Sequence, residues 1–200
     1  MATVRLKQLL GVTGTPGTGK KTVALRVAKA LRFSALSLNT LAYRFDCVAG
    51  TSQKVVVDTG RLRESLRKRA WKKALFHGHL LPEVFRDGEL DRVFVLRCDP
   101  AILKERLRRR GYVGDHLREN VEAELIGVSL SASIRAFGSF RVREYDTSES
   151  RPDRVCEAII SDYRSKRSGK KTWMDWTNRY DSATELRSLL SVPRTASAFT

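Results

Sequence analysis

Gly14-Thr15-Pro16-Gly17-Thr18-Gly19-Lys20-Lys21-Thr22 lies between an apolar run, Leu9-Leu10-Gly11-Val12-Thr13, and an amphipathic run from Val23 to Leu31. Strand, glycine loop and helix in that order form a phosphate cradle. Glycines at 14, 17 and 19 admit backbone conformations closed to other residues, so successive N–H groups converge on an anion at the positive end of the following helix. Lys20 reaches the outer phosphates. The pattern G-x-x-x-x-G-K-[ST] holds through that lysine and fails at its last place, where Lys21 replaces the hydroxyl residue that ordinarily ligates Mg²⁺. A hydroxyl follows one residue later on Thr22, the one candidate metal ligand of the loop.

A chain of 200 residues with 42% apolar content fills one compact domain and does not comfortably fill two. Lys plus Arg number 38 against 22 Asp plus Glu, a net charge of +16, with clusters at 61–73, 104–110 and 164–171. Such an excess favours polyanionic partners, nucleic acid above all. Cys47, Cys98 and Cys156 are widely spaced and read as reduced thiols rather than zinc or redox pairs. Without an apolar run of membrane-helix length or a signal-peptide core, the sequence reads as soluble and cytoplasmic, with no membrane partner.

Short apolar runs alternate with amphipathic ones from residue 6 to 164, the signature of α/β architecture with a parallel sheet. Strands are expected at Leu6–Val12, Ser34–Leu38, Lys73–His77, Arg92–Arg97 and Phe140–Tyr145. Helices are expected at Lys20–Leu31, Asn39–Asp46, Gly60–Arg69, Ala101–Arg109, Asp115–Phe137 and Pro152–Arg167. The insertions 39–72 and 106–120 interrupt this rhythm, and in phosphoryl-transfer enzymes such insertions form moving lids. Beyond Arg167, Ser168–Lys171 reads as a linker, Trp173–Trp176 as an anchor, Asp181–Leu190 as a short helix and the last ten residues as disordered.

Several motifs occur together: the glycine loop, Val55-Val56-Val57-Asp58, Gly78-His79-Leu80, Val95-Leu96-Arg97-Cys98, Glu105-Arg106-Leu107, Arg110-Gly111-Tyr112 and Glu119-Asn120-Val121-Glu122-Ala123-Glu124. In this order they resemble the archaeal and eukaryotic adenylate kinase isoenzyme 6 family over residues 6–164. The resemblance implies an adenylate-kinase-like P-loop NTPase fold: a five-stranded parallel sheet with helices on both faces, a nucleotide-monophosphate arm near 37–60 and a short lid near 109–120. The kinase domain would span 1–167, with 168–200 as a basic C-terminal extension. It implies ATP as cofactor with Mg²⁺, AMP or another nucleoside monophosphate as acceptor, and ATPase activity beside transfer. It further implies a part in late maturation of the small ribosomal subunit, in contact with the platform ribosomal protein S-eleven and rRNA of the pre-ribosome.

Carried over position by position, Gly17, Gly19, Lys20 and Thr22 match the family's ATP-phosphate contacts, beside Lys21. Arg110 matches a lid arginine on ATP, and Arg106 sits one helical turn earlier. Asn39 and Asp58 bound the acceptor arm. His79 matches a histidine that positions water or the reacting phosphate, while His77 stands where the family has an acid. Both usual Mg²⁺ positions are therefore altered, and two readings follow. Either Lys21 supplies part of the metal's charge and the protein acts mainly as a slow nucleotide switch in ribosome assembly, or Mg²⁺ is held by ATP phosphates and water and catalysis is retained. His116 reads as an ATP contact or as an exposed helix-start histidine. Trp173 and Trp176, three apart on an expected helix, read as a clamp on the core or as base-stacking groups.

Overall fold

A computed structural model describes residues 8–51, 54–165 and 173–192. Its centre is a five-stranded, wholly parallel sheet of β1 (Gln8–Gly14), β2 (Ser34–Ser37), β5 (Lys73–His77), β6 (Arg92–Arg97) and β7 (Val142–Asp146). Their order across the sheet is β2-β5-β1-β6-β7. Their apolar runs are continuous because both faces are covered. Leu10, Val12, Leu75, Phe94 and Leu96 pack under α1 (Lys20–Leu31) and α8 (Pro152–Ser165). Leu9, Ala74, Phe76, Val93 and Val95 pack on the other face, against side chains of α2 (Leu38–Arg44), α3 (Thr59–Arg67), α4 (Leu81–Val84) and α7 (Val128–Arg141).

A third apolar cluster joins α5 (Pro100–Arg108), α6 (Gly114–Leu125) and the C-terminal segment with α9 (Ala183–Leu190). Asp99 caps α5 by accepting from the backbone N–H groups of Ala101 and Ile102, and Pro100 occupies the first turn, where no donor is lost.

The structure departs from the sequence expectations in several places, among them a short helix, α4, where none is expected and a last strand that starts at Val142 because Phe140 and Arg141 still belong to α7. The insertion after α2 contains an antiparallel hairpin, β3 (Val48–Thr51) and β4 (Lys54–Val57). The single helix expected over Asp115–Phe137 is two, because Gly127 turns left-handed (φ 69°) between α6 and α7; a second non-helical glycine, Gly138, lies near the end of α7. Trp173 and Trp176 precede a short 3₁₀ turn at Thr177–Arg179 and are not on a helix. Trp176 is buried among Cys98, Leu103, Leu107 and Leu125, so it clamps the C-terminal segment to the core. The expected linker 168–171 and residues 193–200 lie outside the described residues. Cys47, Cys98 and Cys156 are buried free thiols. Among the described residues no helix is long and apolar enough to cross a membrane.

Candidate active site

All five strands end at one edge of the sheet, where a parallel α/β fold opens a crevice for ligands. The loop 14–19 leaves β1 there and turns into α1. Side chains are excluded at its bends: a Cβ on Gly14 would lie 2.3 Å from the Leu96 carbonyl oxygen, and one on Gly17 (φ 94°) 2.6 Å from Leu103 Cδ1. The loop is pinned from inside. Thr18 Oγ1 and Lys20 Nζ both donate to the Thr15 carbonyl at 2.9 Å, and the Thr15 hydroxyl donates to Glu124 Oε2 at 2.5 Å.

Two hollows meet at this loop. The larger, about 840 Å³, is lined by Gly17, Gly19, Lys20, Lys21, Thr22, Asn39, His79 and Arg110, with Tyr112, His116, Glu119 and Asn120 closing the lid side. The Tyr112 and His116 rings stack there, with centroids 4.8 Å apart and planes at 13°. The smaller, about 270 Å³, passes behind Gly19 and Thr22 to Arg106, Thr147, Ser150 and Pro152. Gly17, Gly19, Thr22 and Arg110 border both.

Two of the expected site residues are engaged elsewhere. Arg106 donates to the carbonyls of Thr147 (2.7 Å) and Ser148 (2.8 Å) and to Cys98 Sγ, so it holds the loop after β7 at the wall of the smaller hollow. Asp58 caps α3 by accepting from the Arg61 N–H at 2.9 Å and does not line either hollow. The residues that hold the loop from below, Arg97, Glu124 and Glu144, carry no role in the sequence reading. Arg97 and Glu124 do lie in two of the motifs that carry the resemblance, Val95-Leu96-Arg97-Cys98 and Glu119-Asn120-Val121-Glu122-Ala123-Glu124, whereas Glu144 has no such signal.

The electrostatics are those of an anion site. Burial pulls the Lys20 ammonium down to about 8, Glu124 opposing and Arg110 adding to the shift. Burial and the neighbouring lysines push the His77 imidazole below its ordinary value; burial and Lys20 do the same to His79, against Glu83. Both histidines are therefore neutral near pH 7. The donor set does not fit a protein-held divalent cation. Among the described residues Glu119 is the only acid on the wall of the larger hollow, Lys21 places a cation on the same wall, and no group of three or more His, Cys, Asp or Glu could hold a metal.

The Lys20 shift has a measurable consequence. Bound phosphates favour the ammonium and return its pKa toward the ordinary lysine value. Below about pH 8 the free protein already carries the proton; above it, the complex keeps a proton that the free protein has lost. Nucleotide affinity should therefore fall by up to about tenfold per pH unit above 8, with uptake of up to one proton, read by calorimetry in buffers of different ionisation enthalpy. A flat affinity from neutral to alkaline pH without proton uptake would contradict it.

A glycine loop between the first strand and first helix of this sheet, with its lysine facing a two-part crevice, defines a P-loop nucleotide-binding protein. The family model described as "AAA domain" matches residues 10–127. A Thermococcus onnurineus protein named "Putative adenylate kinase" is 32% identical over 178 residues, covering 88% of this chain and 96% of its own. A Natronomonas pharaonis protein of the same name is 36% identical over 171 residues, covering 84% and 97%. The chain belongs to this family of P-loop proteins. Among solved structures, a gluconokinase from Sinorhizobium meliloti shares the fold at TM-score 0.54 and 16% identity, over 81% of this chain and 94% of its own. The YorR protein of Bacillus subtilis, solved with phosphorylated GDP, shares it at 0.53 and 16%, over 81% and 100%.

Proposed function

We propose that the protein is a cytoplasmic nucleoside monophosphate kinase of adenylate kinase type, transferring the terminal phosphoryl of ATP to AMP, with ATP hydrolysis as a side activity. The observation that carries this reading is the meeting of two hollows at the phosphate loop, one deep enough for donor phosphates and an acceptor together. The names of its relatives agree.

In this reading residues 1–167 form the kinase domain and 168–200 an extension. The donor base takes the smaller hollow, against the 147–152 loop that Arg106 holds. Its phosphates cross Gly17 and Gly19 onto the amino end of α1. Lys20 leaves the Thr15 carbonyl for the outer phosphates, and Arg110, which borders both hollows, faces the transferring group as a fixed cation. Asn39 lines the acceptor side, where α2 and the β3–β4 hairpin form the arm that Asp58 ends. His79, neutral, orients the reacting phosphate or an attacking water by hydrogen bonding. A divalent cation, which neutralises phosphate charge when bound, would arrive on the nucleotide; Thr22 offers the one hydroxyl at its place, and Lys21 adds positive charge there.

ADP formation from ATP, with and without AMP and in Mg²⁺ or chelator, tests this. The expected result is ADP production strongly stimulated by AMP. Production independent of AMP would favour the switch reading, in which turnover only resets the nucleotide state.

The surplus of +16 favours a further role on RNA, as an assembly factor of the small ribosomal subunit of the isoenzyme 6 kind, touching its platform protein S-eleven. Part of the basic surface is spoken for: Arg63 donates to the Val84 carbonyl, Arg67 pairs with Glu89 at 2.8 Å, and Arg69 lies over Phe45. Lys68, Lys72, Lys73, Arg108 and Arg164 remain exposed, while Lys166, Arg167, Lys170 and Lys171 lie outside the described residues. Affinity for a small-subunit RNA fragment should fall linearly with log salt, at about −0.7 per phosphate neutralised, and neutralising Arg164, Lys166, Arg167, Lys170 and Lys171 should flatten that slope. A flat salt response in the native chain would remove the RNA role.

A further inference from the structure

The C-terminal segment 173–192 lies outside both hollows, yet it is joined to the phosphate loop by an unbroken line of buried and half-buried polar contacts. The Met174 N–H donates to Glu144 Oε2 at 2.8 Å, and the other oxygen of that carboxylate accepts from Arg97 at 2.8 Å. Arg97, 1% exposed, also donates to the Glu124 carboxylate at 2.6 Å and to the Glu124 backbone carbonyl at 2.8 Å. The free oxygen of Glu124 then receives the Thr15 hydroxyl. Thr15 is the residue whose carbonyl holds Thr18 and Lys20.

The same segment grips α5. The Tyr180 hydroxyl donates to Asp99 Oδ1 at 2.6 Å, Arg179 pairs with Asp99 Oδ2 at 3.1 Å, and Lys104 donates to the carbonyls of Ser188 and Ser191. Asp99 caps the helix that carries Arg106 and runs into Arg110. Trp176 and Leu189 supply the apolar seal. Both the loop beneath the phosphates and the cations above them are therefore referred to one segment that touches neither.

We propose that segment 173–192 is a built-in support of the nucleotide site, and that Glu144, Arg97 and Glu124 are positioning residues through which its docking sets the shape of the phosphate loop. Docked, it fixes the Glu144 carboxylate on Arg97, which presents Glu124 to Thr15 in the one orientation that leaves the Thr15 carbonyl facing Lys20. Released, Glu144 loses the Met174 N–H, and two buried carboxylates share one guanidinium with a donor fewer. The loop then samples arrangements in which its N–H groups no longer converge. Because coupling between sites is reciprocal, nucleotide must in turn hold the segment down.

The proposal rests on the nucleotide reading of the site, and its test separates the two. Hydrogen exchange is measured on the full chain with and without ADP, beside the ADP dissociation constant, for the native protein and for Trp176→Ala. ADP is expected to slow exchange over 173–192. Trp176→Ala is expected to speed exchange there and over residues 13–20 without ligand, and to weaken ADP by about tenfold. Tyr180→Phe, which keeps the ring and removes the hydroxyl on Asp99, gives the same pattern more mildly and stands in where the alanine variant does not fold. Ile159→Ala, buried on α8 in the cluster on the α1 face of the sheet and lining neither hollow, lowers stability without changing ADP affinity. Release of the segment with exchange over 13–20 unchanged and ADP affinity within about twofold of native would overturn the proposal. A native protein that binds no ADP overturns the nucleotide reading instead, and the ligand-free exchange over 13–20 still decides the coupling.

Discussion

Lys20→Ala should fold like the parent and lose about two orders of magnitude or more in phosphoryl transfer. In the free protein Lys20 Nζ makes one hydrogen bond, to the Thr15 carbonyl, and burial holds its pKa near 8, an arrangement that disfavours the charged side chain. Removing it takes away little that the fold depends on. In the proposed reading it serves the outer phosphates from the wall of the larger hollow, in a crevice where a fixed charge acts with little screening. Turnover in single-turnover format measures the loss, and thermal unfolding checks that the fold is kept. An alanine variant that transfers phosphate at the native rate would remove the loop from the chemistry.

The second large effect concerns Arg97. Arg97→Met should lower stability by about 3–5 kcal/mol, because it strands two buried carboxylates whose partner it was. Glu124 and Glu144 are each within 2.8 Å of the guanidinium and nearly inaccessible to water. Burial already raises the Glu144 carboxyl, with the Met174 N–H and Arg97 pulling the other way. Without Arg97 the folded-state pKa of Glu144 rises further above that of the unfolded chain. The deficit should then be largest at neutral pH, where the unfolded chain releases that proton, and shrink on acidification, where both states hold it. Adding Glu124→Gln and Glu144→Gln should recover part of the loss. Equilibrium denaturation at two pH values reads both effects. A deficit that does not change with pH would mean that lost packing rather than stranded charge sets it.

What could be read from the residues alone follows from how local the signals are. Lys20–Leu31, Lys73–His77 and Arg92–Arg97 fall where expected, because each is an uninterrupted apolar or amphipathic run bounded by glycine, proline or charge. The eight residues assigned to the larger hollow's wall belong mostly to the glycine loop, whose geometry is written in three glycines and a lysine. The β3–β4 hairpin was missed because its strands are four residues each and Val48-Ala49-Gly50-Thr51 carries no strong strand pattern. The break at Gly127 was missed because Ile126 and Val128 continue the apolar rhythm across it. Asp58 lies between β4 and α3, and its carboxylate serves the helix end. The pairing of Arg97 with Glu124, 27 residues apart, and with Glu144, 47 apart, depends on sheet order and helix placement that no short window contains.

The anchoring of α5 and α6 also limits how the molecule can move. α5 is fastened at its start through Asp99, along its side through Lys104 and near its end through Arg106 on the 147–148 carbonyls. α6 is fastened at its last turn through Glu124. Between them runs only the stretch 109–113, with the left-handed Gly111 (φ 80°) inside it and the left-handed Gly114 (φ 55°) opening α6. Movement of this stretch over the crevice is thus confined to a few residues carrying Arg110 and Tyr112, a hinge of loop dimensions between two fastened helices.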